Sequence, residues 1–167
     1  RSLALQVSRA LRVAASAGVA VLQGRYETDR SGGAPVHQLR PFLRALQTVQ
    51  RWTRMVTTQR FAGLAARAPP AQYAHNVIAP LPRACPGAKV SPMENVTVSS
   101  RPAVRFQVDC PRNAQGQPET FILLAIAGAS DMHVRQAAFR GAATAANLLW
   151  ARNYLSATVL CGTGSRD

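Results

Sequence analysis

The sequence predicts an α+β chain: an N-terminal basic helical hairpin, a proline-rich connector, and a small three-stranded β unit with a long C-terminal helix. Apolar residues recur at three- and four-residue spacing up to residue 67, and at two-residue spacing from residue 95. Between these regions, residues 69–92 contain six of the 11 prolines. We therefore expect three units, at residues 1–68, 69–92 and 93–167.

The N-terminal unit is predicted to be two helices joined by a turn. The first helix covers residues 2–26, and its apolar face consists of Leu3, Val7, Leu11, Ala14, Gly18 and Leu22. The segment TDRSGGAP at residues 28–35 has the composition of a turn. The second helix covers residues 36–67, with Pro41 in its first turn, where a missing N–H costs little. Its apolar positions are Leu39, Phe42, Leu43, Leu46, Val49, Val56, Phe61 and Leu64.

The prolines of residues 69–92 predict an extended connector, because proline interrupts both helices and central strands. Alternating apolar residues then predict strands at residues 95–99 and 103–109. The apolar run TFILLAIA at residues 120–127 predicts a strand buried on both faces. A final helix is predicted from residue 132 to residue 154, with Gly141 and several alanines facing the sheet.

The charge of the chain favours an anionic partner. The net charge is +13, and all basic residues except Lys89 are arginine. Residues 1–84 hold 12 arginines and only two acidic residues, so the excess is concentrated in the predicted hairpin. On a helical wheel, four arginines of the second helix fall within about 80° of each other. These four, with two from the first helix, are the candidate anion-binding residues: Arg40, Arg44, Arg51, Arg54, Arg9 and Arg12.

A row of guanidinium groups suits the phosphates of a folded RNA. The same row would also suit acidic surfaces of neighbouring proteins in a large complex. The first helix, which is basic on one side and apolar on the other, is in addition compatible with an anionic membrane surface, although its apolar face has no large aromatic anchor. The predicted partners are therefore rRNA or acidic protein surfaces, with a membrane surface as a weaker alternative.

The three cysteines, Cys85, Cys110 and Cys161, do not have the spacing of a zinc site. Cys85 precedes the first predicted strand of the β unit and Cys110 ends the second, so the two could be neighbours and form a disulfide. The alternative is buried free thiols in a reducing compartment.

No motif predicts catalysis. The three histidines, His37, His75 and His133, are far apart, and no carboxylate pair has helical spacing. Nucleotide-binding fingerprints are absent. We therefore predict no catalytic residues, no metal site and no cofactor.

Residues 1–26 carry four arginines, three serines and no acid, a composition typical of organellar presequences. We expect the mature, mitochondrial form of a protein whose presequence has been removed. The first hypothesis is a non-catalytic mitochondrial ribosomal protein that contacts rRNA phosphates. A second hypothesis is an accessory subunit of a respiratory or ATP synthase complex. A third is a secreted, disulfide-bridged binding domain.

Overall fold

A computed structural model describes the backbone of residues 37–43 and the complete residues 52–114 and 116–160. These residues form seven strands and three helices. The strands are β1 (His37–Leu43), β2 (Arg54–Phe61), β3 (Lys89–Val90), β4 (Glu94–Val98), β5 (Arg101–Cys110), β6 (Glu119–Ala127) and β7 (Met132–Arg140). The helices are α1 (Pro70–Ile78), α2 (Leu81–Ala84) and α3 (Ala145–Ser156).

All seven strands belong to one antiparallel sheet that is six strands wide. The order is β1-β2-β7-β6-β5, and β3 and β4 share the edge beyond β5. After β2 the chain crosses one face of the sheet through α1 and α2 and reaches this far edge. Strands β4 to β7 then return as a meander, which places β7 beside β2.

The prediction of an N-terminal helical hairpin followed by a three-stranded unit is therefore wrong. Residues 37–43 and 54–61 are strands β1 and β2, not parts of one helix. In β2, Met55, Val56 and Thr57 are all buried, because both faces of this strand are covered. A strand buried on both faces has no alternation of polar and apolar residues, so its apolar positions can also match a helical period. The predicted first helix, residues 2–26, lies outside the described residues.

The proline-rich segment also differs from the prediction of an extended connector. It contains α1, α2 and β3, because its prolines stand where helices accept them. Pro70 opens α1, and Pro80 and Pro82 stand at the start of α2. Proline at the first helical positions removes an N–H that would have no partner in the helix.

The two strands predicted from alternating apolar residues and the one predicted from a continuous apolar run are confirmed as β4, β5 and β6, within two residues at each end. The long C-terminal helix is wrong in its first half, since residues 132–140 form β7. Alanine favours helix, but β7 is flanked by β2 and β6, and Gly141 follows it with a φ of +88°. Tertiary pairing therefore overrides local propensity here.

The sheet buries side chains on two opposite faces, each covered by one helix. On the front face, Phe106, Leu123 and Val134 pack with residues of α1 and of the loop before it. On the back face, Ile122, Leu124 and Phe139 pack with α3. The fold is thus a three-layer arrangement in which α3 is the last described element and lies on the back face.

Candidate functional site around helix α3

Helix α3 begins immediately after Thr144, whose hydroxyl accepts a hydrogen bond from the backbone N–H of Asn147 at 3.2 Å. This bond satisfies one of the donors that have no partner inside a first helical turn. Ala151 and Leu155 face the sheet and have no exposed surface. At about 100° per residue, this orientation determines which residues lie on the flanks and which on the outer side of α3.

One flank of α3 carries two stacked aromatic rings. Trp150 and Tyr154 lie one helical turn apart, with ring centroids 5.3 Å apart and planes inclined by 21°. The ring of Trp150 lies nearly perpendicular to that of Phe139 on the sheet, with centroids 6.2 Å apart and an interplanar angle of 83°. The guanidinium carbon of Arg54 lies 4.0 Å from the centroid of Trp150, and that of Arg135 lies 5.0 Å from the centroid of Tyr154. This flank therefore combines aromatic faces with two cations held against them.

Arg135 is held by hydroxyl groups. Its Nη1 donates to Oγ1 of Thr158 at 2.8 Å, and its Nη2 donates to the hydroxyl of Tyr154 at 2.9 Å. In residues 52–114 and 116–160, no carboxylate lies within ion-pair distance of this guanidinium. Arg135 is thus a half-buried, oriented cation whose charge no described carboxylate neutralises.

The opposite flank holds two arginines that share one carboxylate. Nη2 of Arg105 lies 2.6 Å from Oε2 of Glu94, and Nη1 of Arg152 lies 3.2 Å from Oε1. Arg105 also donates to Oγ of Ser156 at 3.0 Å, at the end of α3. The hydrogen bond from Arg105 holds the pKa of Glu94 below its usual range. Cations beside the last turn also compensate the partial negative charge of a helix C-terminus.

The outer side of α3 is exposed and uncharged. Leu149 at its centre exposes 61% of its surface. The other exposed residues of this side are Ala145, Ala146, Asn153 and Ser156. We call this side, together with Arg54, Arg105, Arg135 and Arg152 on its flanks, the α3 surface. Such an arrangement suits non-covalent binding through apolar contact and guanidinium hydrogen bonds.

A second polar cluster lies on the front face, at the base of the β5–β6 hairpin. Nδ2 of Asn113 donates to Oε2 of Glu119 at 2.9 Å. Burial raises the pKa of Glu119 to about 7, although Asn113 and the charge of Arg140 act in the opposite direction. Arg140 pairs with Glu119 in the β6–β7 register and lies 4.2 Å from the centroid of Trp52. Because Asn113 also exchanges backbone hydrogen bonds across the loop, this cluster stabilises the hairpin.

The six arginines predicted to bind anions are not brought together as a helical row. Arg40 lies in β1 and Arg54 in β2, and the other four, Arg44, Arg51, Arg9 and Arg12, lie outside the described residues. Arg40 pairs with Thr58, four residues along β2 from Arg54. That separation corresponds to about 13 Å along a strand. Of this set, Arg54 contributes to the α3 surface.

The predicted set did not include Arg135, Trp150 and Tyr154. The sequence did carry one signal for them, the aromatic pair at four-residue spacing in the segment that forms α3. It carried no signal that Arg135 would lie against this pair, because residue 135 was assigned to the same helix.

Cys85 and Cys110 are joined in a disulfide. Cys85 follows α2 and Cys110 is the last residue of β5, and their Cα atoms are 5.8 Å apart. Both residues are buried, with 4% and 7% of their surface exposed. The bond therefore fastens the end of α2 to the end of β5. Cys161 lies outside the described residues.

The described part of the chain brings together no group of three histidine, cysteine, aspartate or glutamate side chains that could hold a metal ion. It also contains no helix long and apolar enough to cross a bilayer.

Comparison with known proteins gives a fold and no family. No family profile matches the chain, and no curated protein matches it. Among solved structures, it is similar to PA94 from Pseudomonas aeruginosa, a protein of unknown function described as a candidate regulator. The two share 15% sequence identity with a TM-score of 0.57, over 79% of this chain and 89% of that chain. This likeness shows that the sheet and helix arrangement occurs in another protein.

Proposed function

We propose that this chain is a non-catalytic binding domain of an oxidising compartment, secreted or periplasmic, and that the α3 surface is its binding site. The observation that supports an oxidising compartment is the buried disulfide between Cys85 and Cys110. Disulfides persist outside the reducing cytosol and are rare within it. Of the three hypotheses from the sequence, a disulfide supports the secreted binding domain most directly.

The hypothesis of an rRNA-binding subunit has less support than it had from the sequence. It depended on a helix that presents Arg40, Arg44, Arg51 and Arg54 on one side. Arg40 and Arg54 lie in strands, so this argument no longer applies. A mitochondrial location and a ribosomal or respiratory partner stay predictions.

The proposal is tested by mapping the cysteines of the protein isolated from its native source. The protein is denatured, alkylated without reductant and digested with trypsin. We expect the peptide of residues 84–89 to be linked to the peptide of residues 106–112, since trypsin cleaves after Arg83, Lys89, Arg105 and Arg112. A reduced sample provides the control, because both peptides should then appear separately in alkylated form.

The opposite outcome is equally clear. If Cys85 and Cys110 are alkylated without reductant in rapidly quenched native material, the disulfide is absent in the source compartment. The proposed compartment would then be wrong, and a reducing location would be required.

A further inference from the structure

The outer side of α3 has an unusual composition for an exposed helix face in this chain. Among the 12 residues of α3, Arg152 is the only charged one, while the whole chain has a net charge of +13. Exposed faces of helices in globular proteins normally carry charged side chains. Here the centre of the face is Leu149, and Val159, shortly after α3, exposes 72% of its surface.

The charges that the described residues place next to this uncharged face are mostly positive. Arg54 and Arg135 lie on the flank of Trp150 and Tyr154, and Arg105 and Arg152 lie on the other flank. Among the described residues, Glu94 forms ion pairs with Arg105 and Arg152, whereas no described carboxylate lies within ion-pair distance of Arg135. Among the described residues, the three guanidinium charges of Arg105, Arg135 and Arg152 exceed the one carboxylate charge of Glu94 by two.

This combination resembles the centre and rim of a protein-binding interface. Such interfaces combine an apolar centre without charges with aromatic and arginine residues, and these residue types contribute most of the binding energy. The α3 surface has Leu149 at its centre and Trp150, Tyr154 and four arginines around it. Arg135 and Trp150 are already oriented by their neighbours, so little side-chain freedom remains to be lost on binding.

We propose that the α3 surface binds an acidic amphipathic helix of a partner protein. The partner's apolar residues would cover Leu149, and carboxylates on both edges of its apolar face would meet the two arginine flanks. Ala145 and Ala146 leave room for a close approach of the second helix. This inference names the partner class for the binding domain proposed above and depends on that proposal.

The length of the surface sets the length of the partner segment. The outer side of α3 extends from residue 145 to residue 156, which is about 16 Å at 1.5 Å per residue. A partner helix of about three turns therefore covers it. The partner's apolar residues should recur at i, i+3 and i+4 spacing, which places them on one face of its helix. Because α3 has arginine on both flanks, acidic residues are required at both edges of that face.

The test uses a phage-displayed library of random 16-residue peptides, selected against the intact, oxidised protein. We expect the enriched peptides to combine leucine-like residues at helical spacing with aspartate or glutamate on both sides. The best peptide is then synthesised, together with a matched control in which each acidic residue is replaced by its amide. Fluorescence anisotropy should show at least tenfold weaker binding of the amide control.

The deciding protein variant is Leu149→Asp. Its side chain is largely exposed, so the variant should fold normally, and it should weaken peptide binding at least tenfold. Arg135→Gln should also weaken binding, by roughly tenfold, and should reduce its salt dependence. Arg112→Gln is the matched control, because Arg112 is exposed in the β5–β6 loop and lies outside the α3 surface. Binding by this variant should equal that of the wild type.

Three outcomes would overturn the proposal. Enriched peptides without acidic residues would do so, and so would peptides that bind wild type and Leu149→Asp equally. The third outcome combines two results: no peptide is enriched, and phosphatidylglycerol vesicles bind the wild type but not Leu149→Asp. This combination would indicate a membrane partner. None of these outcomes depends on the cysteine map, so failure here is distinguishable from failure of the proposed compartment.

Discussion

Replacement of Glu119 by glutamine tests the clearest electrostatic consequence of the fold. Only 4% of Glu119 is exposed, and burial raises its pKa to about 7. In the unfolded chain, the pKa of a glutamate is about 4.3. The folded protein therefore retains this proton over a pH range in which the unfolded chain releases it.

The sign of the effect follows from this difference in bound protons. A raised pKa in the folded state means that the stabilisation is complete below about pH 4.3 and is lost as the pH rises to about 7. The two pKa values correspond to a loss of roughly 3–4 kcal/mol in the free energy of unfolding contributed by Glu119. Glu119→Gln keeps an acceptor for Asn113 but has no titratable group at this position. The free energy of unfolding of this variant should therefore lack the pH-dependent contribution of Glu119.

The assay is urea denaturation at pH 5, 6, 7 and 8, followed by tryptophan fluorescence, with the disulfide intact. The difference between wild type and Glu119→Gln is the quantity that matters, because His133 titrates in an overlapping range. Burial lowers the pKa of His133, so its contribution rises with pH and opposes that of Glu119. Subtraction removes this term, since both proteins contain His133.

Parallel pH profiles of wild type and Glu119→Gln would refute the argument. They would mean that Glu119 is already ionised at pH 5, with the charge of Arg140 outweighing the effect of burial. Glu94→Gln is a useful control, because the pKa of Glu94 is lowered and its contribution is lost only as the pH falls below about 4.3. The difference between that variant and wild type should therefore stay constant from pH 5 to pH 8.

Three further substitutions should change the free energy of unfolding in urea. Ser99 and Ser100 form the β4–β5 turn with positive φ values, which glycine adopts without steric cost. Ser100→Gly should therefore stabilise the folded protein by up to about 1 kcal/mol. A loss of stability would contradict the turn geometry. Thr144→Ala removes the cap of α3 and should cost about 1 kcal/mol, whereas Thr144→Ser should be nearly neutral. Replacing Cys85 and Cys110 with serine opens a loop of 25 residues and should cost about 3.5 kcal/mol, and an unchanged midpoint would show that the bond does not constrain the chain.

The local sequence pattern was sufficient to predict a strand that has one polar and one apolar face. In β5, Arg105 and Gln107 alternate with buried Val104, Phe106 and Val108, and the period of two is plain. The run of β6 was assigned correctly because a continuous apolar run fits a strand that is covered on both faces. These strands were therefore predictable from sequence.

Local pattern failed where a strand is buried on both faces and has mixed composition. Strands β2 and β7 pair with each other in the middle of the sheet. Their alanines, glutamines and arginines have good helix propensity, and pairing with neighbouring strands makes them strands, including pairs between β2 and β7 that are more than 70 residues apart. The error in β7 also concealed the contact between Arg135 and Tyr154, because both residues were assigned to one helix.

The sequence by itself determined the strongly basic charge, the strands β4 to β6 and the pair of cysteines that could meet. These properties depend on composition or on neighbours within a few residues. The tertiary structure decided which face of α3 is exposed, and which arginines flank it. Arg54, Arg105 and Arg135 come from three different strands, and they surround α3 only because the antiparallel register aligns those strands beneath it. Such long-range register depends on burying both faces of the whole sheet, which no local period encodes.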